Sequence, residues 1–256
     1  MNNELISRAD ALISEILRDR PQIHRGETEI SRRFGTEESS LSGATVAALT
    51  SGKAECYGIS SDVARFIADH IDVFSKTLET GSGLSTLVFA VRQSTHVCVT
   101  PSQIEVDGIR DYANRKGINF DRTSFVIDAS DKYLPTTDIN DLDFIFIDGK
   151  HAFPWPIVDW FYTVDRLKQG GIVMVDDTHM ISGSILVDFM KVDPRWKLLA
   201  DFNGKTVAFR KMTSSVHDVA WHMQPYITNA LRGKKEFETV FFRRVLRKMR
   251  RLFRRV

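Results

Sequence analysis

Two stretches of the chain place carboxylates and a histidine directly after apolar runs: Ile145-Phe146-Ile147-Asp148-Gly149-Lys150-His151 and Val173-Met174-Val175-Asp176-Asp177-Thr178-His179. Carboxylates with water suit a hard divalent cation such as Mg²⁺, and histidine can take up a proton near neutral pH. The same aspartates are also ordinary residues for a turn and for a helix cap. A third stretch, Leu78-Glu79-Thr80-Gly81-Ser82-Gly83-Leu84-Ser85-Thr86, runs from apolar residues into two glycines. Glycines at that spacing permit a tight turn and a close approach of a ligand to the backbone. The dinucleotide pattern Gly-x-Gly-x-x-Gly would need a third glycine where Thr86 stands, which weighs against an NAD-dependent oxidoreductase, the rival from another enzyme class.

The elements that must position these residues are legible from periodicity. Leu5, Ile6, Ala9, Leu12, Ile13, Ile16 and Leu17 recur at helical spacing before Pro21, and a second helix is expected after Ser60-Ser61-Asp62. Strands are expected at Lys76–Thr80, His96–Thr100, Ser124–Ile127, Phe144–Ile147 and Ile172–Val175. Helices are expected near Leu84–Arg92, Ile104–Lys116, Ile157–Lys168 and Ile185–Met190. This alternation implies a doubly wound, mostly parallel sheet, with strand ends that open onto one crevice. Trp196–Ala200 and Thr206–Arg210 flank Asn203-Gly204, a hairpin turn, so the sheet is expected to end antiparallel. The expected fold class is thus α/β, with seven strands ending in that hairpin, N-terminal helices, and a C-terminal basic amphipathic helix. The expected divisions are 1–58, a helical or lid segment that includes the polar stretch Pro21 to Ser42; 59–212, the sheet domain; and 213–256, an extension.

Glu79-x-Gly81-x-Gly83, Ile147-Asp148-Gly149 and Asp176-Asp177, in this order and before a terminal hairpin, resemble the class I S-adenosylmethionine-dependent methyltransferases, specifically the small-molecule O-methyltransferases. The resemblance spans roughly Ile59 to Arg210. It implies that Glu79, Gly81, Ser82, Gly83 and Ser85 hold the cofactor, with the Glu79 carboxylate at its methionine end. Asp128, followed by Ala129, would accept from the adenine amino group, and Asp148 would face the cofactor as well. Most members carry an acid for the ribose hydroxyls at the end of the second strand; this chain has Thr100 and Ser102 there. In metal-dependent relatives a divalent cation sits on residues that correspond to Asp148, Asp176 and Asp177. Their general-base lysine has His151 in its place, which nominates His151 first and His179 second. The aromatic group Phe153, Trp155, Trp160, Phe161 and Tyr162 follows; Phe153 and Trp155 are the candidates to line the acceptor site. The resemblance implies methylation of a hydroxyl on a small molecule, sugar or lipid-linked glycan.

The chain has 256 residues, 43% of them apolar, and a net charge of +2, as an ordinary globular protein would. Its two cysteines, Cys56 and Cys98, fit neither a disulfide framework nor a zinc site and are expected as buried thiols. No leader or spanning segment is read in it, and the protein is expected in the cytoplasm. Lys234 to Val256 carries +8 and leaves residues 1–233 at −6. Within this tail Val240, Phe241, Val245, Leu246, Met249, Leu252 and Phe253 recur at helical spacing among arginines. Such a pattern suits an anionic membrane surface and would make the protein peripheral on the inner face. Nucleic acid or a partner helix is the lesser reading, a homo-oligomer stays open, and a catalytically silent module recruited to membranes is the non-enzymatic rival.

Overall fold

The computed structural model describes residues 3–21, 23 and 58–229. Cys56, nearly all of the Pro21 to Ser42 stretch, and the basic segment 234–256 lie outside the described residues. Helix α1 (Asn3–Asp19) precedes α2 (Ser61–His70), whose N-cap Ser60 accepts from the Val63 N–H. Then follow β1 (Lys76–Thr80), α3 (Leu84–Val91), β2 (Thr95–Thr100), α4 (Gln103–Lys116), β3 (Thr123–Ile127), α5 (Ser130–Tyr133), β4 (Leu142–Ile147), α6 (Trp155–Thr163), β5 (Leu167–Val175), α7 (Ile181–Val192), β6 (Trp196–Phe202) and β7 (Thr206–Lys211). The seven strands form one sheet in the order β3-β2-β1-β4-β5-β7-β6. All neighbours pair parallel except at β7, which is antiparallel to both β5 and β6. This is the expected architecture.

The central strands are apolar without alternation because the sheet is covered on both faces. Phe144, Phe146, Ile172 and Met174 face one core with Ile13, Ile16, Ile67, Leu87 and Phe89 of the first three helices. Ile145, Ile147, Val173 and Val175 face the other, with Trp160, Leu186, Val187 and Met190 of α6 and α7. At the sheet's far edge Asn203 and Gly204 take positive φ angles of 56° and 68°, the backbone a tight hairpin turn between twisted strands demands. Lys211, fully buried at the end of β7, gives its ammonium to the carbonyls of Val164 and Leu167 at 2.6 and 2.8 Å.

Two expectations shift. The helix expected over Ile157–Lys168 is α6, which begins at Trp155 with a proline in its first turn and ends at Thr163. A 3₁₀ turn, Val164–Arg166, then leads into β5, because Leu167 pairs with Leu142 and is buried at the strand's start. Helix α7 gains a first turn, at Ile181.

The N-terminal helix is fastened to the sheet domain by charge as well as by its apolar stripe. Lys116 lies 2.6 Å from both Glu15 and Asp19, and the Tyr112 hydroxyl donates to Asp19 at 3.0 Å. Hydrogen bonds from Lys116 first and Tyr112 second hold the Asp19 carboxyl below its ordinary 3.8, while burial first and Asp19 second push Tyr112 up to about 12. A carboxyl with a lowered folded pKa stabilises above its ordinary value and loses that contribution as pH falls through the folded one. Amide exchange in α1 is therefore expected to speed up below pH 3.8, and Asp19→Asn to abolish that acid step. Identical exchange–pH curves for the two proteins would rule the clamp out.

Candidate active site

The C-terminal ends of β1, β2, β4 and β5 meet at one edge of the sheet, where a parallel sheet of this strand order opens its ligand crevice. At its centre Gly81 has φ +87° and donates its N–H to Val99 O at 2.9 Å. A β-carbon there would stand 2.0 Å from the carbonyl oxygen of Asp148, so only glycine lets the β1 and β4 loops cross. Asp148 N–H returns a 3.0 Å bond to Thr80 O.

Below the turn lies a closed polar chain. Gly83 N–H donates to Thr86 Oγ1 at 3.0 Å, Thr86 donates in turn to Glu79 Oε1, and His96 Nε2 approaches the same oxygen to 3.2 Å. Glu79 is only 1% exposed. Its carboxylate is turned to Thr86 and His96 and braces the glycine turn from beneath. Ser85 is likewise buried, in the first turn of α3, whereas Ser82 faces the crevice side of the turn.

At the end of β2 sits a carboxylate that the strand itself lacks. Glu105, in the first turn of α4, accepts through Oε2 from Ser82 Oγ at 2.7 Å and from Thr100 Oγ1 at 3.3 Å. Its sequence setting, Ser102-Gln103-Ile104-Glu105, reads as a capping box, and Ser102 does cap α4 by accepting from Glu105 N–H at 3.3 Å. That capping signal conceals the second use of the side chain. Farther out, Asp128 stands exposed after β3, with Oδ1 accepting from Ala129 N–H at 2.8 Å.

The strand-end aspartates divide. Asp176, 5% exposed, accepts from Thr206 and lies 3.5 Å from Lys205 Nζ, turned toward the hairpin. Asp177 has φ +49°, a left-handed conformation that aspartate tolerates better than most residues. Its Oδ2 lies 3.1 Å from His151 Nε2, and its Oδ1 lies 3.7 Å from His179 Nδ1 and 3.8 Å from Lys205 Nζ. Donor atoms of Asp148, His151 and Asp177 lie within 4.8 Å of one another. Of the expected set, Asp148 and Asp177 come together with His151, while Asp176 turns to Thr206 and Lys205 of the hairpin.

Burial raises the Asp148 carboxyl well above the usual range, and the charges of Asp176, Asp177 and Glu79 add to this. Burial works against the Lys205 ammonium, but Asp176, Asp177 and Asp148 outweigh it and raise its pKa. Sequence reasoning passed over Lys205 because it reads as part of a turn; the turn is pinned by Thr178 N–H and Oγ1, which bond Lys205 O and Gly204 O at 2.8 Å each.

The rim is apolar. Phe153 is 64% exposed and Lys150 Nζ sits 4.6 Å above the Trp155 ring, but Trp160 belongs to the core, against Phe189 and Trp196. His151 is anchored by Ser182, which donates to its carbonyl, while His179 is more open, its side chain 55% exposed. A cavity of about 380 Å³ between α6 and α7 shares no residue with this crevice.

No curated protein matches the sequence. Residues 78–178 match the family described as a methyltransferase domain. Among solved structures, a cofactor-bound protein from MTB is similar at 16% identity and a TM-score of 0.53, covering 71% of this chain and 95% of that one. An SAH-bound methyltransferase from Podospora anserina aligns at 16% identity and 0.51, over 74% and 97% of the two chains. An O-methyltransferase from Bacillus cereus in complex with SAH aligns at 16% and 0.50, over 72% and 96%. Residues 78–178 thus resemble the methyltransferase-domain family, and the sheet that carries them has the class I methyltransferase fold.

Proposed function

We propose that the protein is an S-adenosylmethionine-dependent methyltransferase that methylates a hydroxyl oxygen of a small acceptor, with His151 as general base and Asp177 as the group that orients it. The observation that carries this reading is the 3.1 Å contact between His151 Nε2 and Asp177 Oδ2 at the mouth of the crevice. The SAH held by two of the structures with the same fold supports the choice of cofactor. The donor set fits such a cofactor: the glycine turn, Ser82, Thr100, Glu105 and the exposed Asp128 stand at the strand ends of β1 to β3, where a parallel sheet takes a nucleotide-bearing ligand.

When bound, S-adenosylmethionine supplies an electrophilic methyl group on a sulfonium, whose carbon–sulfur electron pair returns to sulfur as the acceptor oxygen bonds the methyl carbon. The chain's own work is on the proton. With Nε2–H facing the Asp177 carboxylate, Nδ1 of His151 is the basic nitrogen and takes the hydroxyl proton. Asp177 fixes the ring tautomer and stabilises the imidazolium that forms, as a buried carboxylate does beside a catalytic histidine. Lys205 and the raised Asp148 carboxyl temper the negative charge of the cluster.

A second reading rests on the donor atoms of Asp148, His151 and Asp177 within 4.8 Å. Two carboxylates and an imidazole fit a divalent cation, which would polarise the acceptor hydroxyl. The Lys205 ammonium 3.8 Å from Asp177 favours the first reading, since it already supplies positive charge there.

For the base role, His151→Ala is expected to lower kcat at saturating substrate by about 10²-fold or more, with S-adenosylmethionine binding unchanged by calorimetry; wild-type turnover would remove the assignment. Under the same reading, EDTA leaves turnover intact and titration with Mg²⁺ or Mn²⁺ gives no heat of binding. Loss of activity in EDTA, restored by either ion, would establish the metal reading in its place. The charge pattern of residues 234–256 further supports recruitment to an anionic membrane; co-sedimentation with phosphatidylglycerol vesicles, lost on deletion of those residues, is the expected result, and no sedimentation of the intact protein would exclude it.

A further inference from the structure

We infer that Glu105 is the ribose-binding acid of this protein, moved off the end of β2 and onto the first turn of α4. The inference rests on the reading of the crevice as an S-adenosylmethionine site. Two vicinal hydroxyls are best held by one carboxylate, which accepts both with charge assistance; a threonine hydroxyl offers a single neutral partner. Thr100 ends β2, is 1% exposed, and its Oγ1 donates to Glu105 Oε2 at 3.3 Å. The charge absent from the strand end is thus supplied within one hydrogen bond of it.

The placement of Glu105 follows from local structure. Ser102 caps α4 and its N–H is taken by Thr100 Oγ1 at 3.3 Å, which fixes the helix start against the strand end. Ser82 Oγ, from the glycine turn, holds the same carboxylate oxygen at 2.7 Å, so Glu105 bridges the turn and β2 across the crevice floor. The bond from Thr100, at 3.3 Å, is longer than that from Ser82 and is the one that a ligand hydroxyl displaces. The flanking surface fits the base that a ribose carries. Ile104 and Ile127 leave 61% and 42% of their area open, and Ile127 is the cross-strand partner of Thr100. Asp128 follows Ile127 and stands exposed beside it.

The test is calorimetry on the full chain with two probes: S-adenosylhomocysteine and its analogue lacking both ribose hydroxyls. Wild type is expected to bind the analogue about 10- to 100-fold more weakly. Glu105→Gln is expected to weaken S-adenosylhomocysteine by a similar factor while leaving the analogue within about twofold, because the interaction is already absent there. Adding Thr100→Asp to Glu105→Gln should restore affinity for S-adenosylhomocysteine, the acid having been returned to the strand. Equal losses for both probes would overturn the inference, since Glu105 would then only brace Ser82, and so would unchanged binding in Glu105→Gln. The comparison of the two probes on wild type needs no variant: equal affinities overturn the inference even if Glu105→Gln fails to fold. Failure of wild type to bind either probe would overturn the proposed function instead.

Discussion

The crossing of two backbones at Gly81 and Asp148 governs the rest of the crevice. A β-carbon at Gly81 would fall 2.0 Å from the Asp148 carbonyl oxygen, so the glycine turn and the β4 loop are locked together by contact without an intervening side chain. The lock sits between β1 and β4, the strands at which the sheet's order reverses direction, where parallel sheets open a binding crevice. Through it the position of the turn determines the position of the acidic cluster. Both halves of the site therefore share one rigid frame, and their side chains hang from it: Glu79, Thr86 and His96 beneath, and Asp148, His151 and Asp177 above.

Charge is then arranged in layers. Beneath the turn one buried carboxylate accepts from Thr86 and lies 3.2 Å from His96 Nε2. At the strand ends, burial and then the charges of Asp176 and Asp177 raise the Asp148 carboxyl, and Lys205 reaches across from the hairpin to the pair that follows β5. Because β7 pairs antiparallel to β5, the β6–β7 turn returns to the same edge of the sheet as the strand-end aspartates. The hairpin thus contributes a cation to the site as well as closing the sheet.

Much of this was legible in the sequence because it depended on local pattern. The strand Lys76–Thr80, the Asn203-Gly204 turn, the Ser60 cap and the two-sided sheet follow from periodicity and turn chemistry. The strand-end aspartates were found for the same reason. What periodicity could not reveal was where side chains go once the ends of separate strands converge. Asp176 and Asp177 are neighbours of identical chemistry, yet a left-handed backbone at Asp177 turns one toward His151 while Thr206 and Lys205 claim the other. Glu105 was hidden because its spacing from Ser102 has a sufficient local explanation. The approach of Glu79 to His96, seventeen residues on, was equally hidden, since only the pairing of Glu79 with Cys98 in the register of β1 and β2 brings them near.

The hydrogen bonds of the glycine turn carry a consequence for selectivity. A turn that cradles a diphosphate needs amide protons that point outward and no negative charge behind them. Here the Gly81 amide is spent on Val99 and the Gly83 amide on Thr86, and the carboxylate of Glu79 lies directly below. An anionic linker placed over this surface would find two of its donors occupied and a field of the wrong sign. A ligand with an ammonium and a sulfonium would find that field favourable. The turn thus lacks two of the free amide donors that a diphosphate would use, beside the missing glycine at Thr86.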